Sequence, residues 1–263
     1  MNAAIEVRDL TCGYGSKSVL SNLDFEIQTG EIISLVGPNG GGKSTLLNVL
    51  GGTLPALQGE VLCFGERLGQ MSASQIAQKV AFVPQDESWS FSFTARQIVA
   101  MGRLARSSSY FESEEDLEWA ERALSLTQMS EFAGRVGAHL SGGERQRLLI
   151  ARALAQDTPI VLFDEPTSHQ DVAHRDTFIR LVLDLRKAGK TSIIAMHDLA
   201  LAYEISDRAA LVYAGGISPL GTPSQSLSCE NLQEVFRSQF EMVKLRSGRE
   251  IPIHSGLLSV PLT

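Results

Sequence analysis

GPNGGGKST, residues 37–45, decides the fold. It follows the apolar run 31–36 (EIISLV) and precedes a helical pattern from Thr45 to Leu50, so it sits in the strand-to-helix turn that a phosphate-binding loop requires. Gly37, Gly40, Gly41 and Gly42 let the backbone curl with its N–H groups pointing inward, a conformation that a Cβ resists. Lys43 adds a positive charge for β- and γ-phosphates, and Ser44 a hydroxyl for Mg2+. The start of the helix adds roughly half a unit of positive charge. A plain glycine-rich turn is the alternative, and it fares poorly against so specific a pattern.

Farther along lies a second glycine-led element, LSGGERQR at 140–147. Ser141, Gly142, Gly143 and Glu144 also fit a helix N-cap with a capping box, which contributes on the order of 1 kcal/mol and needs no ligand. Taken alone, the cap is the better reading. Its neighbourhood changes that. Next comes 160–165 (IVLFDE), four apolar residues ending in Asp164 and Glu165, the pattern of a buried parallel strand that delivers carboxylates at its C-terminal edge.

With these three elements in order, the chain resembles the ATP-binding cassette (ABC) family over nearly its whole length. The resemblance makes 37–45 the Walker A loop, with Gly37, Pro38, Asn39, Gly40, Gly41, Gly42, Lys43, Ser44 and Thr45 around the nucleotide. It makes Ser141, Gly142 and Gly143 the signature loop, and Asp164 and Glu165 the Walker B pair. Tyr14 falls where an aromatic stacks on adenine, Gln85 in the Q-loop, Asp171 in the D-loop and His197 in the H-loop. A lone Gln or His is more often a solvated or core residue; order and spacing around two strong motifs reverse that. The implied fold is an α/β P-loop NTPase (RecA-like) core with an antiparallel β subdomain and an inserted α-helical subdomain. The implied domains are 4–240 for the ATP-binding domain, with the helical insertion at about 91–150, and 241–263 for a C-terminal β-hairpin tail.

The expected chemistry follows from residue types. Mg2+ takes octahedral oxygen ligands and keeps several waters, so Ser44 and Asp164 suffice, with Gln85 contacting the metal or water. Phosphoryl transfer needs positioning and charge neutralisation more than covalent help. Glu165 is therefore expected to polarise the attacking water, His197 to contact the γ-phosphate or orient that water, and Lys43 to hold the phosphates. In the family a signature loop closes over the nucleotide held by another subunit's Walker A loop, which implies a head-to-tail homodimer with two ATP molecules between the subunits.

Composition adds location. The 263 residues are 43% hydrophobic, enough for a large α/β core. A formal charge of −7 argues against general affinity for nucleic acid. Cys12, Cys63 and Cys229 are odd in number and lack metal spacing, as reduced cytosolic thiols would. His139, His169, His174, His197 and His254 form no recognisable ligand set. The first residues, MNAAIEVRDL, carry no signal-peptide pattern, and no apolar run approaches the length of a membrane span. Attachment to the cytoplasmic face of the inner membrane is expected through transmembrane permease subunits, with a substrate-binding protein engaged indirectly.

Strands are expected near 4–10, 22–28, 31–36, 59–64, 80–83, 191–196 and 209–213, and helices at 94–104 and 113–126. Ser113 is the expected N-cap of the second helix; Leu117, Ala120 and Leu124 form its apolar face, with Trp119, Ala123 and Leu126 beside it. Segments 241–245 and 250–253 flank a turn at Gly248 and read as a hairpin whose simplest role is a small structural cover.

For cargo, the run 140–174 is especially similar to ATPase subunits of importers for iron-siderophore, haem and cobalamin chelates. TARQIVAMGR at 94–103 and the tail hairpin point the same way; Gln170 departs from the pattern, where leucine is usual. An importer of zinc or manganese, an exporter, or a soluble ABC ATPase outside transport are the alternatives.

Overall fold

The computed structural model describes residues 3–87, 92–106, 113–167, 172–245, 248 and 250–255. The chain forms two compact units, Met1–Gly69 with Ile193–Thr263, and Gln70–Ser192.

The first unit opens with two long strands, β1 (Ala3–Tyr14) and β2 (Lys17–Gln28), each reaching several residues beyond the expected spans. Turn residues 15 and 16 join them directly, with Gly15 at φ 59, so the pairing runs out to Tyr14 opposite Lys17. The apolar strand β3 (Ile32–Val36), buried at every position, leads into α1 (Lys43–Leu50). Then β4 (Gln58–Cys63) and β5 (Glu66–Arg67) complete an antiparallel sheet ordered β2-β1-β4-β5.

In the second unit the chain runs through α2 (Ala73–Lys79), β6 (Val80–Val83), α3 (Ala95–Ala100), α4 (Glu114–Leu126), α5 (Gly142–Ala155), β7 (Ile160–Asp164) and α6 (Val172–Lys187). Strands β6 and β7 pair in parallel, Val80 opposite Ile160 through Val83 opposite Phe163. All five residues of β7 are buried, and each large apolar side chain there stabilises by roughly 1.5–3 kcal/mol.

Helices α3, α4 and α5 share one apolar cluster that includes Ile98, Val99, Ala120, Leu124, Leu148 and Ala151. The helix expected at 94–104 stays α-helical only to Ala100 and tightens into a 3-10 turn at Met101–Arg103. On α4 the buried face is Ala120, Ala123 and Leu124, whereas Leu126 is 54% exposed. Leu126 had been placed beside the apolar face; as the last residue of α4 it has no following turn to cover it.

Strand β8 (Thr191–Met196) carries the chain back into the first unit, through α7 (Leu199–Ile205), β9 (Arg208–Tyr213), β10 (Gly216–Ile217), α8 (Pro223–Ser226), α9 (Cys229–Phe236), β11 (Phe240–Lys244) and β12 (Glu250–His254). Here β9 pairs in parallel with β3 and antiparallel with β10. Strands β11 and β12 form the C-terminal hairpin, with Phe240 between Phe236 and His254 in edge-to-face contacts.

Candidate nucleotide site

The GPNGGGKST loop leaves β3 and enters α1, and its four glycines are required for two different reasons. Gly40 and Gly42 have φ of 76° and 107°, in the left-handed region that a side chain strains. Gly37 and Gly41 do not; a Cβ on either would stand 2.0 Å or 2.9 Å from the Val212 carbonyl oxygen on β9. Sequence alone assigned one role to all four. The Lys43 ammonium, almost fully buried, donates to the carbonyls of Gly37 at 2.8 Å and Pro38 at 3.1 Å, which keeps it over the concave side of the loop. Helix α1 begins at Gly42 without a side-chain cap, and its first turn follows directly on the loop. Val19 and Leu20 of β2 press on Gly42, since a Cβ there would lie about 3 Å from both, at 3.0 Å and 2.9 Å. Tyr14, at the turn end of the same hairpin, is 55% exposed and offers its ring to solvent.

His197 follows the last residue of β8 and is exposed. Asp198 accepts from the Leu201 amide at 2.9 Å and so caps α7 immediately after it.

In the second unit β7 places its acids as expected: Asp164 is buried, and Glu165 stands just past the strand end. Glu165 has φ 47°, a left-handed backbone that costs a non-glycine residue of order 1–3 kcal/mol and persists only when its surroundings hold it. The Gln85 side-chain amide donates to Glu165 Oε2 at 3.2 Å, so these two residues, 80 positions apart, are brought together. Within this unit Asp164 and Gln85 offer a carboxylate and an amide oxygen, and in the first unit Ser44 offers a hydroxyl; each is a hard donor of the kind that Mg2+ takes.

The LSGGE turn forms a complete capping box: Ser141 Oγ accepts from the Glu144 amide at 3.3 Å, and Glu144 Oε2 accepts from the Ser141 amide at 2.7 Å. That bond from the Ser141 amide, above all, holds the Glu144 carboxyl below its ordinary range; burial opposes it, and Arg135 and Arg147 assist. Asp171, expected in the D-loop, and Gln170 lie outside the described residues.

Three features of this unit went unread in the sequence. Glu87 forms a two-pronged ion pair with Arg152 on α5, and Gln146, also on α5, donates to the Pro84 carbonyl at 3.4 Å. Arg103, nearly buried, donates to Asp116 at 3.2 Å and to the Ala155 carbonyl at 3.1 Å beneath the Trp119 ring. The only advance sign of the last was its place in TARQIVAMGR; long-range ion pairs have no period.

The family described as ABC transporter matches residues 20–168. The chain belongs to the ABC family of transporter ATPases, and its core is the α/β P-loop NTPase fold. It is 40% identical over 228 residues to the hemin import ATP-binding protein HmuV of Streptomyces coelicolor, covering 87% of this chain and 81% of that protein. HmuV of Pseudomonas aeruginosa is 39% identical over 237 residues, 88% of this chain and 92% of the relative. The cobalamin import ATP-binding protein BtuD of Halobacterium salinarum is 37% identical over 233 residues, 88% of this chain but 58% of its own length. Among solved structures, an inward-facing transporter described as of metal-chelate type superposes with a TM-score of 0.82 at 29% identity, covering 98% of this chain and 100% of that one. A dimeric bacterial ABC transporter cassette gives 0.76 at 28% identity, covering 83% and 98%.

Proposed function

We propose that this chain is the ATP-hydrolysing subunit of an importer for haem, cobalamin or iron-siderophore chelates, and that it works as a homodimer on the cytoplasmic face of the inner membrane. The observation that carries this reading is its 36–40% identity, over most of its length, to ATP-binding proteins of hemin and cobalamin import. No helix among the described residues is long and apolar enough to cross a membrane. In this reading the transport path lies in separate permease subunits, and a substrate-binding protein delivers the cargo.

The amides of the 37–45 loop and Lys43 bind the β- and γ-phosphates, and Tyr14 stacks on the base. Ser44, Asp164 and the amide oxygen of Gln85 hold Mg2+, which when bound neutralises charge on the phosphate oxygens. Glu165 accepts a hydrogen bond from the attacking water and so raises its nucleophilicity; Gln85, donating to the same carboxylate, fixes where that carboxylate points. His197 contacts the γ-phosphate or orients the water. Ser141, Gly142 and Gly143 complete the site on the opposite subunit, with Asp171 between the two.

Glu165→Gln keeps the shape of the side chain and removes its basicity. Turnover is expected to fall about 100-fold or more, with ATP binding retained. Wild-type hydrolysis in that variant would sink the catalytic assignment. Cargo is tested separately by uptake of labelled chelates in a deletion strain, where unchanged uptake of all three classes refutes the metal-chelate reading.

A further inference from the structure

The segment that carries Gln85 is held on both sides by one helix. Gln146, buried on α5, donates to the carbonyl of Pro84, one residue before Gln85. Two residues after Gln85, Glu87 receives both prongs of Arg152, Nη1 to Oε1 at 2.8 Å and Nη2 to Oε2 at 2.5 Å. A fork-on-fork pair of this kind fixes orientation as well as distance. Both side chains are mostly shielded, 25% and 32% exposed, so the pair is less screened than an open surface bridge. The anchor itself is rigid. A Cβ on Gly102 would stand 2.3 Å from the Arg152 carbonyl oxygen, so α5 is pressed against the 3-10 turn at this very residue.

Helix α5 begins at the LSGGE turn. A movement of that turn is therefore delivered, through Arg152 and Gln146, to the short segment whose middle residue touches Glu165. We propose that the Glu87–Arg152 ion pair is a positioning latch, through which the signature helix sets how well Gln85 engages Glu165. This rests on the reading of Glu165 as the group that polarises water and of Gln85 as its positioner. Neither Glu87 nor Arg152 touches substrate; both act through Gln85.

The latch is tested by steady-state ATP hydrolysis of the full chain, with nucleotide binding followed in parallel by a fluorescent ATP analogue. Arg152→Met and Glu87→Gln are each expected to lower kcat about tenfold, because small misplacements of a catalytic group are costly, while KM for ATP and analogue binding stay within about threefold. The charge swap Glu87→Arg with Arg152→Glu recovers most of the lost kcat. In a Gln85→Ala background the Arg152 and Glu87 changes cost nothing further, since residues that act through one another are not additive. A merely structural ion pair gives the opposite result, the same loss with or without Gln85, and that additivity overturns the latch. So does wild-type kcat in Glu87→Gln, a variant that changes no shape and keeps the test open should Arg152→Met fail to fold. Normal turnover in Glu165→Gln defeats the reading of the site on its own; loss of turnover there, combined with additive Arg152 and Gln85 effects, defeats the latch alone.

Discussion

Two helix starts among the described residues are glycine-led, and they are built in opposite ways. Helix α1 starts at Gly42, in the left-handed region and without a side-chain cap, whereas α5 starts at Ser141 inside a closed capping box. The second unit repeats the self-sufficient design: α2, α3 and α4 begin at Ser72, Thr94 and Ser113 with capping boxes of their own. An uncapped helix start leaves amides that an anion can satisfy, and a capped one has already used some of them. Under the proposed function, the difference teaches that the 37–45 loop is built to take phosphate by itself, while the LSGGE turn closes its own cap first and serves as a ligand element second. Such a turn suits the role proposed for it, meeting nucleotide only when another subunit brings it there.

The comparison breaks most sharply at Gly37. Replacing it with Ala puts a Cβ 2.0 Å from the Val212 carbonyl oxygen, so the loop must shift. ATP affinity is expected to drop about 100-fold or more, since a buried backbone clash of this size displaces several phosphate-facing amides at once. Titration with a fluorescent ATP analogue reads it, and near-normal affinity would mean the loop binds phosphate without its tight turn.

Comparable in size is Arg103→Ala. It strands Asp116 without its cation and removes the tie to the Ala155 carbonyl, a change expected to destabilise the helical cluster by about 3–5 kcal/mol. Urea melts would show it, and a loss below about 1 kcal/mol, the size of an exposed pair, would show that the helices hold α5 without this pair.

Ser141→Ala should cost only about 1 kcal/mol in the same melts, the ordinary value of a cap, and leave ATP binding by the chain unchanged while slowing turnover. Loss of binding at Ser141 equal to that at Gly37 would erase the distinction between the two starts. The smallest effect is on pH. The folded Glu144 carboxyl binds its proton less readily than the unfolded one, so its contribution is complete above the usual carboxylate range of about 4 and declines as pH falls through the lowered native value. Glu144→Gln should flatten that part of an acid-stability curve, read from urea melts at stepped pH.

What was legible in advance divides along the same line. The loop at 37–45, the acids of β7, the Ser113 cap and the hairpin near Gly248 were readable because each depends on neighbours a few residues away. The caps at Ser72 and Thr94 obey the same rule and were overlooked. The lengths of β1 and β2 were underestimated, because bulged strands with polar outer faces blur the alternation that marks a strand. Helices α2, α6, α7, α8 and α9 were not anticipated at all. Several are short, and a helix of two turns has too few residues to display a period.

By itself the sequence determined that this protein carries a phosphate loop, a buried acidic strand end and a capped LSGGE helix, since all three are written in contiguous residues with local backbone demands. Only the tertiary structure decided that Gly37 and Gly41 are glycine because of the Val212 carbonyl, that Gln85 rests on Glu165, and that Arg152 holds Glu87 across 65 positions of chain. Those contacts come from packing between distant segments. No pattern along the chain encodes which distant carbonyl, amide or carboxylate will be the neighbour.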